Sequence, residues 1–283
     1  MSLKYCDIES INYSPVADSY KYSPLVSLET AITPVTEFID NGSNNVRIAN
    51  QRCKISSVMT KDESAAIYLY TMETNNTRSI YRVLNQALRS RVSASILPWY
   101  LYLKLLTTAL NKLPSVKTSV WRGVPGNISK DYRKYTKLTW WCVTSCSASV
   151  NVIENFLQGH THSTLFMIEC SRGKAVSAYS SFSSEDEIIL LPGTSLTVVA
   201  EPLTHAGIHI VHLREIEQAR YAKSASFNPL PSFTKQATFY GSGGNNQSQI
   251  DLKFTDCSLA KSNTTLIKSS STVVNTVKPK KSK

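Results

Sequence analysis

The sequence predicts an α+β fold, with a helical N-terminal half followed by a strand-rich, mostly antiparallel β core. Apolar residues recur at helical spacing until about Pro114, and short β-branched and aromatic runs separated by turns follow from about Ser119. Helices first and strands afterwards are typical of the α+β class. With 42% hydrophobic and 18% charged residues over 283 positions, the chain can bury a core, which excludes a wholly disordered protein.

Three segments of the first half carry helix signals. Thr60–Glu63 has the form of a capping box, and apolar residues at helical spacing follow it. The segment after Pro98 carries an apolar stripe that stops near Pro114. Pro34 lies inside a fourth candidate, SLETAITPVTEFI, and weakens it. The predicted helices are DESAAIYLYTMET, Ile80–Arg91 and Leu101–Leu110.

The second half carries strand signals interrupted by one helix, Val150–Leu157. Arg172 and Lys174 are expected in a turn between strands, in contact with solvent. His205, His209 and His212 are expected in or beside an edge strand, and no metal site is predicted from them. The predicted strands are Ser119–Arg122, LTWWCVTSCS, TLFMIEC, EIILL, SLTVVA and HIVHL.

The formal net charge of +11 is concentrated at the C-terminal end of the chain. Residues 219–283 hold 10 basic and 2 acidic residues, a net of +8, whereas residues 1–218 hold 21 basic and 18 acidic residues, a net of +3. Ser, Thr, Asn and Lys dominate the last segment, a composition typical of flexible tails. We therefore predict an N-terminal extension at 1–23, one globular domain at 24–218 and a basic, flexible tail at 219–283.

The six cysteines include no CxxC pair and are too sparse for a disulfide scaffold, so we expect reduced thiols. The N-terminal sequence lacks the basic flank and apolar run of a signal peptide, and no run of about 18 apolar residues occurs. The C-terminus does not end in an apolar GPI-type signal. These observations predict a cytoplasmic protein without a membrane span, with Lys278–Lys283 as a weak nuclear-localisation candidate.

Two segments of the β half could bind charged groups. In Trp121-Arg122-Gly123 an arginine fork lies next to a glycine, so that a phosphate could contact both side chain and backbone. A surface arginine at a turn would explain the same pair. In Val143–Ser147 small hydroxyl and thiol groups follow two tryptophans and could hold a carboxylate. A half-buried strand with one polar face would give the same pattern.

A third segment, Glu185-Asp186-Glu187, precedes an apolar strand. In an extended strand Glu185 and Glu187 would share one face, ~6–7 Å apart. Two carboxylates on one face suit a reaction through an oxocarbenium-like sugar cation, because one can stabilise the cation while the other activates a nucleophile. An acidic gatekeeper before an apolar strand is the alternative explanation.

Taken in this order, the three segments resemble the R-S-E signature of the cholera-toxin-like mono-ADP-ribosyltransferases, and most closely the arginine-specific eukaryotic branch. The helical segments and the runs VWRG, WWCVTSCS, TLFMIEC, SSFSSEDEIILLPG and GIHIVHLREI also look like that branch. The resemblance covers roughly residues 24–217. It implies an NAD-binding β core of the ADP-ribosyltransferase type.

The resemblance also implies roles for the matching residues. Arg122 would bind the NAD phosphates and order the site, and the Gly123 backbone would bond the nicotinamide amide. Ser145, the first residue of Ser-Cys-Ser where the family has Ser-Thr-Ser, would position Glu187. That carboxylate would contact the nicotinamide ribose and stabilise the oxocarbenium ion. Glu185 would receive and deprotonate an acceptor guanidinium.

Further residues would contact the substrates. Ala178–Ser184 would form the acceptor-recognition loop, with Tyr179 and Phe182 available to contact the target. Phe156 would stack on the nicotinamide or, alternatively, pack in the core of its helix. No metal is required, since the nicotinamide ring is already cationic while it is attached in NAD and leaves as a neutral molecule.

The leading hypothesis is an NAD-dependent mono-ADP-ribosyltransferase that modifies arginine side chains of proteins and releases nicotinamide. An NAD glycohydrolase, which would use the same site with water as the acceptor, is the alternative. A non-catalytic binding module that uses the basic tail ranks third. The expected partners are NAD and proteins with exposed arginines. We expect a monomer, and nucleic acid is not expected as a partner because the tail lacks RGG boxes and basic–aromatic interleaving.

Overall fold

The computed structural model describes residues 16–73, 78–90, 93–157 and 160–216. All of these belong to one compact unit of the chain, Met1–Lys223. The predicted tail at 219–283 lies outside the described residues, as do the first 15 residues of the predicted extension. The predicted domain boundaries therefore stay predictions.

Helices occupy the first part of the described chain, as predicted. This half also contains three short 3-10 helices: Val16–Tyr22 precedes the first α-helix, and Thr33–Phe38 and Leu97–Trp99 lie between α-helices. The α-helices of this half are α1 (Leu28–Ile32), α2 (Gly42–Arg52), α3 (Lys61–Thr71), α4 (Ile80–Arg89), α5 (Ser93–Ile96) and α6 (Tyr100–Lys112).

The capping box that opens α3 is confirmed. The Thr60 hydroxyl accepts a hydrogen bond from the Glu63 backbone N–H at 3.2 Å, and the Glu63 carboxylate accepts one from the Thr60 N–H at 2.8 Å. Pro34 divides its segment, because α1 ends at Ile32 and the 3-10 helix that follows carries Pro34 in its first turn. A proline has no N–H to donate into a preceding helical turn, which explains the break.

Helix α2 was not predicted from the sequence. Its sequence, GSNNVRIANQR, is mostly polar and offers only Val46 and Ala49 as buried apolar side chains. Both join the helical core, and the buried Asn45 side chain donates a hydrogen bond to the Asp40 carbonyl at 2.8 Å. Tertiary packing therefore stabilises a helix whose own periodicity is weak.

The second part of the described chain forms one mixed sheet. Its one described α-helix is α7 (Val150–Leu157), as predicted, and two short 3-10 turns, Ser129–Asp131 and Ser183–Glu185, accompany it. The strand order is β1-β3-β5-β4-β8-β6-β2, with β7 paired to β8 and a further pairing between β1 and β4. Among these pairings only β4–β8 is parallel. The strands are β1 (Ser115–Pro125), β2 (Lys137–Trp140), β3 (Thr144–Ser147), β4 (Ser163–Ala175), β5 (Glu187–Leu190), β6 (Thr194–Val198), β7 (Leu203–His205) and β8 (Ile208–Glu215).

Three strand predictions were wrong in detail. The run LTWWCVTSCS is divided into β2, which pairs with β6, and β3, which pairs with β1 and β5. Strand β8 is not an edge strand, because it lies between β4 and β6. Arg172 and Lys174 lie inside β4, which pairs along most of its length with β1, and not in a turn.

Two large apolar clusters form the interior. The helical core extends onto the sheet through side chains that include Val143 and Ile189. The second core lies within the strand half, where the Phe166 ring meets Tyr132 and Trp140 edge to face, with centroids 4.9 Å and 5.4 Å apart. No helix in the described ranges is long and apolar enough to cross a membrane. Cys53, Cys142, Cys146 and Cys170 are buried and carry free thiols.

Candidate active site

The three segments that the sequence singles out lie on three neighbouring strands of the sheet. Arg122 is on β1, Ser145 is on β3 and Glu187 is the first residue of β5, and the sheet order is β1-β3-β5. Ser147 pairs with Trp121 on one side and with Glu187 on the other. The sheet therefore brings together positions that are up to 65 residues apart in the sequence.

Arg122 is a buried cation that joins β1 to β3. Its side chain is 1% exposed, and Nη1 donates a hydrogen bond to the Ser145 carbonyl at 2.8 Å. This bond fits the predicted role of ordering the site, since a charge-assisted bond in a buried place fixes both partners. It also corrects the surface-arginine alternative, because Arg122 lies well inside an 11-residue strand.

Two helices hold the strand that carries Ser145. The Asn85 amide on α4 donates to the Val143 carbonyl at 3.0 Å and accepts from the Val143 N–H at 3.1 Å. The Tyr70 hydroxyl on α3 donates to the same carbonyl at 2.8 Å and lies 3.4 Å from the Ser145 hydroxyl. Buried backbone groups just before β3 are thus paired by helical side chains.

Sequence reasoning missed Tyr70 and Asn85 as contributors to the site. Tyr70 lies in the predicted helix DESAAIYLYTMET, where it counts only among the residues at helical spacing, and Asn85 is one polar position in the predicted helix Ile80–Arg91. Asn85 lies on the buried face of its helix, with Ile80, Tyr81, Leu84 and Leu88. A buried amide of this kind needs hydrogen-bond partners. The helical spacing of Asn85 with these apolar residues was the sequence signal that could have indicated its burial.

The Glu185–Glu187 segment is not an extended strand, which corrects the prediction that both carboxylates share a strand face. Ser183–Glu185 form a 3-10 turn, and Asp186 has a left-handed backbone with φ of 47° before β5 begins at Glu187. The three side chains differ in accessibility: Glu187 is buried, Glu185 is partly buried and Asp186 is exposed. The turn therefore separates the two glutamates by environment, with one at the surface and one inside.

The predicted acceptor-recognition loop, Ala178–Ser184, lies against Glu187 and the end of α3. The Ser180 hydroxyl donates to Glu187 Oε2 at 3.4 Å. Thr71 holds the next residue twice, because its hydroxyl accepts from the Ser181 N–H at 2.9 Å and its carbonyl accepts from the Ser181 hydroxyl at 2.8 Å. The loop is thereby attached to the helical half beside the buried carboxylate.

The two aromatic residues of this loop differ in exposure. Tyr179 is 9% exposed, its hydroxyl donates to the Ser56 hydroxyl at 3.2 Å, and the Lys54 ammonium lies 5.4 Å from its ring centroid. The prediction that Tyr179 is available to a target is therefore wrong in this conformation. Phe182 is only partly buried, which is compatible with its predicted contact.

Gly123 allows helix α7 to pack closely on β1. A Cβ built at Gly123 would lie 2.8 Å from Ile153 Cγ2 and 2.9 Å from Leu157 Cδ2, both on α7. Any larger residue would force these side chains to move, so close packing explains this glycine; its predicted bond to nicotinamide stays a prediction. Phe156 lies on the same helix, but its side chain is outside the described residues.

The Ser145 hydroxyl and the Glu187 carboxylate have different described partners. The described partner of the Ser145 hydroxyl is Tyr70, and the serine hydroxyl that contacts Glu187 is that of Ser180. The predicted hold of Ser145 on Glu187 stays a prediction. Across the described ranges, no group of three or more His, Cys, Asp or Glu side chains could hold a metal ion. His212 instead contacts Glu169 at 2.7 Å on the sheet surface.

The sequence profile of the NAD:arginine ADP-ribosyltransferase family matches residues 34–220, which is more than half of the chain. The chain therefore belongs to the NAD:arginine ADP-ribosyltransferase family, whose members use NAD. The fold is of the ADP-ribosyltransferase type, with helices followed by a mostly antiparallel sheet. No curated protein matched this sequence significantly.

Solved structures share this fold at low sequence identity. The type III effector XopAI from Xanthomonas axonopodis pv. citri, lacking 70 N-terminal residues, is 17% identical with a TM-score of 0.51, covering 73% of this chain and 90% of its own. Exoenzyme S from Pseudomonas aeruginosa, in complex with human 14-3-3 protein beta and bound to Carba-NAD, is 18% identical with a TM-score of 0.50, covering 70% and 93%. The ADP-ribosyltransferase Vis from Vibrio splendidus, in complex with agmatine, is 19% identical with a TM-score of 0.49, covering 72% and 93%.

Proposed function

We propose that this protein transfers ADP-ribose from NAD to arginine side chains of proteins, with release of nicotinamide. The observation that carries the proposal is the placement of Arg122, Ser145 and Glu187 on the neighbouring strands β1, β3 and β5, with Arg122 bonded to the Ser145 carbonyl at 2.8 Å. Membership of the NAD:arginine ADP-ribosyltransferase family supports the same reaction.

The two charged groups of the site suit the two charged parts of the NAD molecule. The buried Arg122 guanidinium offers planar donors that match a diphosphate. The buried Glu187 carboxylate is largely removed from water, so it would stabilise positive charge on the ribose more strongly than an exposed carboxylate. NAD carries an anionic diphosphate, which suits Arg122, and a ribose that becomes cationic as nicotinamide departs, which suits Glu187.

In the proposed transfer the ribose–nicotinamide bond breaks, and its electron pair leaves with nicotinamide. A guanidinium nitrogen of the acceptor arginine forms the new bond to the same ribose carbon. The proton that this nitrogen loses passes to Glu185, whose carboxylate is accessible from the surface as an incoming side chain requires. The difference in burial between Glu185 and Glu187 therefore matches the difference between their proposed roles.

The test is to incubate the full chain with NAD labelled in its adenylate part and agmatine, an arginine-like acceptor. We expect labelled agmatine, and we expect Glu187→Gln to lower the rate by roughly 100- to 10,000-fold, because it removes the negative charge beside the ribose. Asp186→Asn is the matched control, since Asp186 is exposed and its left-handed backbone also suits asparagine. Absence of transfer, or equal rates in the two variants, would refute the proposal.

The NAD glycohydrolase alternative has one observation in its favour, the burial of Tyr179, which leaves the acceptor loop with fewer exposed aromatic contacts. The products distinguish the two reactions. Free ADP-ribose without labelled agmatine, at a rate that Glu185→Gln leaves unchanged, would identify a hydrolase. If the protein is an arginine transferase, the same variant should abolish transfer while NAD cleavage persists.

A further inference from the structure

The structure contains a cavity of about 330 Å³ whose lining residues do not include Arg122, Ser145 or Glu187. Its wall combines the last turns of α6, the first residue of β1, the ends of β4 and β8, and the turn that precedes β6. The charged side chains in this wall are Lys21, Arg172, Lys174 and Glu215, and Trp141 adds an aromatic surface. Cavities of this size accommodate small organic ligands.

Lys174 is a buried cation in this wall and has no carboxylate partner among the described residues. The residue is 6% exposed, and its ammonium donates hydrogen bonds to the Leu113 carbonyl at 2.8 Å and the Ser115 hydroxyl at 3.2 Å. An ammonium group has three N–H donors, so one remains for another acceptor. Burial alone lowers the pKa of Lys174 from its usual 10.5, as expected for a positive charge without a nearby negative one.

The one carboxylate in the wall, Glu215, is already occupied by its neighbours. Its Oε2 accepts from the Ser171 N–H at 2.6 Å and the Arg172 N–H at 2.9 Å, and its Oε1 accepts from Arg172 Nε at 2.6 Å. These bonds orient the Arg172 guanidinium, whose side chain stays 46% exposed. Glu215 thus balances Arg172, and the charge of Lys174 remains uncompensated.

We propose that this cavity is a second anion-binding site, which takes the phosphate or carboxylate group of a small ligand between Lys174 and Arg172. The anion would accept a hydrogen bond from the third N–H of Lys174 and others from the Arg172 Nη groups, and Trp141 would contact the rest of the ligand. A purely structural function, in which Lys174 only bonds the Leu113 carbonyl and the Ser115 hydroxyl, explains two of its three donors. It does not explain the cavity or the second oriented cation.

The test is calorimetric titration of the full chain with inorganic phosphate and, separately, with acetate. We expect at least one of the two anions to bind saturably, with one equivalent per chain. The anion that binds with the higher affinity identifies the chemical group that the site takes. Lys174→Met should weaken that binding by roughly tenfold or more, because a charge-assisted bond is lost. Lys137→Met, which removes an exposed lysine from β2, is the matched control and should bind as the original chain does.

Arg172→Gln supplies a second variant at a half-exposed position, in case Lys174→Met fails to fold, and should weaken binding roughly threefold or more. Unsaturable binding, or saturable binding that both variants retain, would overturn the proposal. A lowered melting temperature of Lys174→Met with unchanged anion binding would show the purely structural role and would overturn it too. ADP-ribosyl transfer should persist in both variants, so this proposal and the proposed function can fail separately.

Discussion

Two regions of the sheet are held by different kinds of polar contact. Around β3, buried side chains of α3 and α4 bond the backbone of Val143, next to the candidate catalytic strand. Between β4 and β8, Glu169 bonds Arg214 and His212 on a surface where the Glu169 side chain is 37% exposed. Buried bonds to backbone have few alternatives, whereas water competes for the exposed ones. The difference implies that the helical half positions the site, although it carries none of the R-S-E residues.

The largest effect is expected from Asn85→Ala. This change leaves the Val143 N–H without its partner in a buried place and removes one of the bonds to the Val143 carbonyl, at a cost of about 2–4 kcal/mol in unfolding free energy. Urea unfolding measures the loss. Asn44→Ala, at an exposed position of α2, is the control and should change stability by less than about 0.5 kcal/mol. Equal effects of the two changes would contradict the view that α4 holds this strand.

A smaller loss of stability is expected from Tyr70→Phe, and a comparison with Tyr102→Phe separates its effect on stability from its effect on catalysis. Each change removes one buried hydroxyl that donates to a carbonyl, that of Val143 at 2.8 Å or that of Ala66 at 2.9 Å. Both should lower the unfolding free energy by about 1 kcal/mol. Only Tyr70→Phe should also lower kcat severalfold, because only this hydroxyl lies beside Ser145. If both variants keep the original kcat, Tyr70 has a structural role and is not a positioning residue.

The smallest effect on stability is expected from Glu169→Gln, which removes a carboxylate that links β4 to β8. Hydrogen bonding by Arg214 is the main reason that the pKa of Glu169 lies below its usual 4.5. A carboxylate whose folded pKa is lowered adds stability above its unfolded pKa and loses that contribution as pH falls through the folded pKa. The variant should thus be slightly less stable than the original at pH 7, by less than Tyr70→Phe, and the difference should disappear below the folded pKa. Glu37→Gln, at an exposed position, is the control. A difference in unfolding free energy between Glu169→Gln and the original chain that stays constant from pH 7 to pH 2 would contradict this assignment.

Local signals were reliable where the residues of an element carry their own pattern. The capping box at Thr60, the apolar stripe after Pro98 and the bounds of α7 were all predicted and are confirmed. Contacts that depend on distant parts of the chain could not be predicted. Helix α2 has little periodicity of its own, and the burial of Tyr179 depends on Ser56 and Lys54, which are more than 120 residues away in sequence.

The sequence alone determined the α+β class, the order of helices and strands, and the family, because apolar period and motif spacing are properties of the chain itself. Only the tertiary structure decided which strands are neighbours, and thereby placed Arg122, Ser145 and Glu187 side by side. It also decided that Glu185 lies on a turn near the surface and that Lys174 is buried. The physical reason is that strand pairing and burial follow from long-range packing, which no local pattern encodes.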